Sequence, residues 1–264
     1  MGLGDVYKRQ VWEQIVAGHS KWANIKHRKG AQDKKRGILF SKLSRAITVA
    51  AKQGDPNPDA NAALAQAIQA AKDQSMPKDN IERAIQKAVG GADGDSYESV
   101  VYEGYGPAGV AVIAECLTDN RNRTAAEVRH AFSRHGGSLG TSGCVAYLFS
   151  RVGEIQLADG ADEDDALLAA ADAGAEDVAS DDGMVLVTCQ PSDLMAVRGA
   201  LEGAGFGVER SELVMQPSTS VELDESSART TLNLIDALED LDDVQKVWSN
   251  FDLSDDVMAA VAGG

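Results

Sequence analysis

Apolar positions recur at three- and four-residue steps across residues 38–53, where Leu39, Leu43, Ala46, Ile47 and Ala50 form one stripe and predict an amphipathic helix. Lys42, Arg45 and Lys52 fall outside the stripe, turned toward a partner while the helix packs. The run Gly54-Asp-Pro-Asn-Pro breaks the helix. Asp59 is then suited to cap an Ala-rich helix reaching about residue 74, with Leu64 and Ile68 inward. Pro77 opens a third helix that runs through Val89 on Ile81, Ala84, Ile85 and Ala88, and Gly90-Gly91 ends it. The pattern predicts a small three-helix bundle.

Beyond Gly94 the period shortens. Residues 99–104 and 109–117 read as strands, the second carrying the run VAVIAECL. A polar turn, Thr118 to Arg123, precedes Thr124-Ala-Ala-Glu127, a capping-box pattern. The helix it opens uses Val128 and Phe132 and stops at Gly136-Gly137. Next come a strand over 145–157 bent near Gly153, a helix over 163–173, strands over 176–179 and 184–189, a helix over 192–204 and a strand over 207–215. That order is β-α-β-β-α-β, the ferredoxin-like plan. A strand over 220–223, a helix over 227–241 and a strand over 244–251 follow; they are too few for a sheet of their own. They are expected to join the strands of 99–117 and the helix of 124–135.

The fold class expected is multidomain α and α+β: an N-terminal three-helix bundle with a basic arm, then two α+β (ferredoxin-like) domains. The expected bounds are 17–92 for the helical domain, 93–142 plus 215–264 for a discontinuous α+β domain, and 143–214 for the inserted one. Residues 1–16 show no clear period and are set aside as a non-native or mis-started leader.

Charge changes this picture most. The chain has a formal net charge of −16, yet residues 17–53 carry ten Lys/Arg against one acid, Asp33. The cations are Lys21, Lys26, Arg28, Lys29, Lys34, Lys35, Arg36, Lys42, Arg45 and Lys52. Residues 91–264 carry nine Lys/Arg against 33 Asp/Glu, net −24. A basic segment kept inside so acidic a chain points to a polyanionic partner, most often nucleic acid, and confines its contact to the basic end. Trp22 lies among these cations; anchoring the arm to neighbouring helices is favoured over stacking on a base.

The remaining motifs narrow the chemistry. Gly104-Tyr-Gly106-Pro-Ala-Gly109 matches GxGxxG, but a strand follows where a dinucleotide site needs a helix, so a turn between strands is expected. His130 and His135 are five residues apart on one helix, a poor metal pair. Cys116, Cys144 and Cys189 form neither a disulfide pattern nor a zinc pattern. Acidic runs lack calcium-loop spacing, and no nucleophile elbow, phosphate loop or HExxH occurs. The expectation is no enzyme, no cofactor and no metal. Arg121 and Arg123, in the turn before a helix, offer guanidinium forks beside free backbone N–H groups; an anion site and a well-capped turn weigh equally. No apolar run is long enough to span a bilayer and no signal pattern opens the chain, so a cytoplasmic, non-membrane monomer is expected.

Over GHSKWANIKHRKGAQDKKRG, YEGYGPAG, LTDNRNRTAAEVRHAF, GGSLG and CVAYLF, and again over DNIERAI and LIDALE, the chain closely resembles the YebC/PmpR family. The resemblance runs from about Ala17 to the end, and it places Val16 where family members start. It implies three domains and a cytoplasmic, non-enzymatic regulator of gene expression. Members are described as DNA-binding transcriptional regulators; others are described as ribosome-bound translation factors that help synthesis through proline runs. Ile38 stands where many members carry a further Lys, which removes one charge from the expected phosphate footprint. The expected nucleic-acid contacts are Lys21, Lys26, Arg28, Lys29, Lys34, Lys35, Arg36, Lys42 and Arg45, joined by Arg121 and Arg123. The polymer is DNA in one reading and ribosomal RNA in the other, and an acidic protein adaptor is the fallback.

Overall fold

In the computed structural model, the residues described are 22, 33–90, 97–181 and 183–262, with backbone alone at 33–35 and 181. Helix α1 (Asp33–Gln53) starts six residues before Leu39, the first residue of its apolar stripe. Lys and Arg are good helix formers, and an acid at the first position suits the helix N-terminus, but polar residues leave no apolar period to read. Ile47 and Ala51 of α1 are buried with Leu64, Ala71, Met76, Ile81 and Ala84, and Phe40, Leu43 and Ala50 pack on that cluster. Burial reaches past the stripe: the Thr48 hydroxyl, also buried, donates to the carbonyls of Ser44 and Ala84.

The cap of the second helix differs from expectation. Pro58 starts a short 3-10 turn, Pro58–Ala60, that contains Asp59, and the Asn57 side chain caps that turn. Helix α2 (Ala62–Asp73) is capped by Asn61, whose Oδ1 accepts from the Leu64 N–H at 3.1 Å. Asn61 Nδ2 donates to the carbonyls of Ala50 and Asp55, so one side chain closes the connection from α1. Helix α3 (Lys78–Val89) follows Pro77 and ends at Gly90.

Strands β1 (Glu98–Tyr105) and β2 (Ala111–Thr118) form an antiparallel hairpin in register from Glu98–Thr118 to Tyr105–Ala111. The GxGxxG run is the turn between them, with Ala108 and Gly109 at positive φ. Helix α4 (Arg121–Arg134) follows, then β3 (Ser138–Leu139), which pairs with Gly104 and Tyr105. The capping-box expectation is corrected here: Asn120 caps α4 and accepts from the Arg123 N–H, so the helix starts three residues before Thr124.

After a 3-10 turn at Ala146–Leu148 come β4 (Phe149–Leu157), α5 (Glu163–Ala170), β5 (Ala175–Asp181), β6 (Met184–Cys189), α6 (Leu194–Gly203) and β7 (Val208–Pro217). Their sheet runs β5-β6-β4-β7, with β4–β6 and β5–β6 antiparallel. The break expected near Gly153 lies instead at 146–148. Gly153 sits inside β4, where a Cβ would come within 2.7 Å of Cys189 Sγ. The remaining elements are β8 (Val221–Glu222), α7 (Glu225–Glu239), β9 (Val244–Ser249), β10 (Phe251–Asp252) and α8 (Asp255–Ala262). Strand β9 pairs with β2, giving the order β3-β1-β2-β9. Val112, Ala114 and Cys116, alternating along β2, face a core with Val128 and Phe132 of α4 and Leu234, Ile235 and Leu238 of α7. Helix α8, absent from the sequence reading, contributes Met258 to it.

The described residues fall into two compact units. One holds β1–β3, α4 and the chain from Gln216 on; the other holds α1 from Leu39, α2, α3 and residues 151–215.

Candidate nucleic-acid interface

Lys21, Lys26, Arg28 and Lys29 lie outside the described residues, as do the side chains of Lys34 and Lys35. Arg36 is exposed in the first turns of α1, and Lys42 and Arg45 are half-buried. At about 100° per residue, Lys42, Arg45 and Lys52 fall on the side of α1 opposite Ile47. Trp22 is half-buried and packs against the β2–α4–α7 core of the first unit, its indole Nε1 buried without a hydrogen-bond partner. The residue therefore anchors on the α+β core.

Arg121 and Arg123 are the first and third residues of α4, not part of a turn before it. Arg123 pairs with Asp119 and with the buried Asp243, each at 2.7 Å. Asp243 Oδ2 also accepts from the hydroxyls of Thr118 at 3.1 Å and Thr124 at 2.7 Å. Burial alone would raise the Asp243 carboxyl; hydrogen bonds from Arg123, Thr124 and Thr118 outweigh it and hold the group below the usual carboxylate range. The Arg123 fork is thus engaged by two carboxylates of the protein while its side chain stays 44% exposed. Arg121 differs: it is exposed, its carbonyl accepts from the Tyr102 hydroxyl, and its side chain has no ion pair among the described residues. Arg129 and Arg134 on the same helix are exposed too.

Glu103 on β1 is a functional-looking residue that the sequence reading missed. Its buried carboxylate accepts from three backbone N–H groups, Gly143 at 2.7 Å, Val145 at 2.9 Å and Ala146 at 2.8 Å. Burial pushes this carboxyl up, and the three N–H groups together bring it below its ordinary value. The Glu103 carbonyl takes the Gly140 N–H as well, so a single residue shapes the loop from 140 to 146. The Tyr105 hydroxyl donates to the Cys144 carbonyl at 3.1 Å, with Tyr147 beside it. The available signal was a glutamate inside an apolar strand, paired with a glycine-rich loop whose N–H groups needed acceptors.

A second buried network lies in the other unit. Arg198 of α6 grips Asp73 with two nitrogens, at 2.8 and 3.1 Å, and also donates to Ser211 and Glu202. The two ion-paired side chains are 8% and 5% exposed. Asp73 ends α2, where an acid opposes the helix dipole, and Arg198 compensates it. Among the described residues no cluster of His, Cys, Asp and Glu could hold a metal, and no helix is long and apolar enough to cross a membrane. None of the three cysteines is in a disulfide.

Two family descriptions match the chain: the TACO1/YebC protein N-terminal domain over residues 20–91, and the TACO1/YebC second and third domain over residues 97–251. A "probable transcriptional regulatory protein" of Rubrobacter xylanophilus is 57% identical over 250 residues, covering 94% of this chain and all of that one. One of the same description from Aeromonas salmonicida is 55% identical over 247 residues, 93% of this chain and all of that one. The crystal structure of a conserved hypothetical protein from Aquifex aeolicus is similar, with a TM-score of 0.77 and 45% identity over 86% of this chain and 96% of that one.

Proposed function

The chain belongs to the TACO1/YebC family, and from that premise we propose that it is a non-enzymatic, nucleic-acid-binding regulator of gene expression, acting on DNA as a transcriptional regulator. The observation that carries this is charge segregation: ten cations against one acid in residues 17–53 of a chain whose net charge is −16. Lys21, Lys26, Arg28, Lys29, Lys34, Lys35, Arg36, Lys42 and Arg45 neutralise phosphates, and the acidic remainder is repelled from the polymer and sets orientation. The names of the relatives support a regulatory role. The three separate cores support reading the chain as a three-helix bundle and two α+β domains, the inserted one ferredoxin-like by its strand order.

One observation favours a second reading, a ribosome-associated factor on ribosomal RNA. The side of α1 that carries Lys42, Arg45 and Lys52 also carries Ser41 and Val49, and a helix that reads a major groove needs more Asn, Gln and Arg than this. The test is binding of the full chain to duplex DNA and to structured RNA across a salt series. Log affinity is expected to fall linearly with log salt, by about 0.9 per phosphate neutralised on B-DNA. Reversing Lys34, Lys35 and Arg36 together to Glu should flatten that slope by about 2.7. Unchanged binding by this variant would overturn the proposal, and crosslinking in cells decides between promoter DNA and ribosomal RNA.

A further inference from the structure

Two features outside the basic segment lie along the β1–β2 hairpin and come together at its turn end, where α4 finishes. The first is a set of cations. Of the nine Lys/Arg in residues 91–264, Arg123, Arg198, Arg210 and Arg229 sit in ion pairs with carboxylates, and Arg151 and Lys246 have contacts of their own. Arg121, Arg129 and Arg134 are exposed and have no ion pair among the described residues. All three belong to α4, whose only acid is Glu127. Where acids outnumber bases 33 to nine, a surface arginine readily finds a carboxylate, so three left on one helix point to an anion from outside.

The second feature is a pair of rings. Tyr147 is 73% exposed and Tyr105 37%. Neither is loosely held: Tyr105 is tied through its hydroxyl to Cys144, and Tyr147 directly follows the amides that Glu103 fixes. A ring presented on a fixed backbone loses little freedom when something stacks on it. The two features adjoin at the C-terminal end of α4, because Tyr105 pairs with Ser138 in β3, four residues beyond Arg134; Arg121 lies about 20 Å further along the helix, a length that an extended strand of a few nucleotides spans.

We propose that α4 and the Tyr105–Tyr147 pair form a second nucleic-acid contact, one that takes a single-stranded segment. Arg121, Arg129 and Arg134 hold its phosphates while the tyrosines stack on unpaired bases. Duplex bases are already stacked on one another and offer no face to a ring, so the geometry selects unpaired nucleotides. The proposal rests on the nucleic-acid-binding reading above and adds to it a contact that is independent of the basic arm.

Fluorescence anisotropy of the full chain with a short single strand, the same strand carrying abasic positions, and a duplex tests it. RNA and DNA versions of the strand are both measured, and stacking on either supports the proposal. Tyr147→Ala should weaken binding to the intact single strand roughly tenfold and leave abasic and duplex binding unchanged, while Tyr147→Phe retains affinity. Arg129→Ala with Arg134→Ala should reduce the single-strand salt slope by about 1.4. If Tyr147→Ala weakens intact and abasic strands alike, or neither, while charge reversal at Lys34, Lys35 and Arg36 still weakens binding, this contact is overturned and the arm stands. Absence of binding to every polymer at low salt overturns both.

Discussion

Glu103 and Asp243 are buried carboxylates that the first unit keeps ionised by surrounding them with donors. Both have folded values below the ordinary carboxylate range, so they bind fewer protons folded than unfolded at acid pH. Their stabilisation is complete above about pH 4.5 and is lost as pH falls through the folded values. The denaturant midpoint of the full chain is therefore expected to drop on acidification below about pH 4. Asp243→Asn should reduce that acid sensitivity. At neutral pH the same variant should cost about 3 kcal/mol, because Arg123, Thr118 and Thr124 keep their places without the carboxylate. Glu103→Gln brings an amide N–H against backbone N–H donors. Faster hydrogen exchange at Gly143, Val145 and Ala146, with β2 unaffected, is the expected readout, and unchanged exchange there would show that the loop holds itself.

At the scale of elements, the helix starts separate what a sequence shows from what it hides. Apolar period located α1, α2 and α3 because Ile47, Leu64 and Ile81 each bury a face, and burial is what the period encodes. Capping is decided by a choice between neighbouring polar residues. Asp59 and Asn61 were equally eligible by type, but only Asn61 also reaches the Ala50 and Asp55 carbonyls. Thr124 followed by Glu127 imitates a capping box; its hydroxyl is instead taken up by Asp243, 119 residues away, which no local pattern reports. The capping assignment is testable by urea denaturation. Asn61→Ala should lower stability by about 1–2 kcal/mol, while Asp59→Ala should change it by less than about 0.5 kcal/mol. Equal effects would return the cap to Asp59.

For the whole molecule, the sequence pattern placed strands and helices along the chain and expected the last segment to join the strands of 99–117, because a segment with one strand at each end cannot satisfy its backbone alone; β9 does pair with β2. It could not deliver the pairing of Asp73 with Arg198, since both residues read locally as surface positions of amphipathic helices. That pair, buried and bidentate, joins the end of α2 to α6 and β7 within one unit. Removing one partner leaves a buried charge alone, so Asp73→Ala or Arg198→Ala should each cost about 3–5 kcal/mol. The double substitution should cost less than the sum of the two, because the second change removes a charge already stranded. Hydrogen exchange localises the loss: amides of α2 and α6 should lose protection together in either single variant, while the β1–β2 hairpin, in the other unit, keeps its own. If α2 alone loosens and α6 does not, the ion pair is an ornament of the helix end rather than the joint between the helical segment and the inserted sheet.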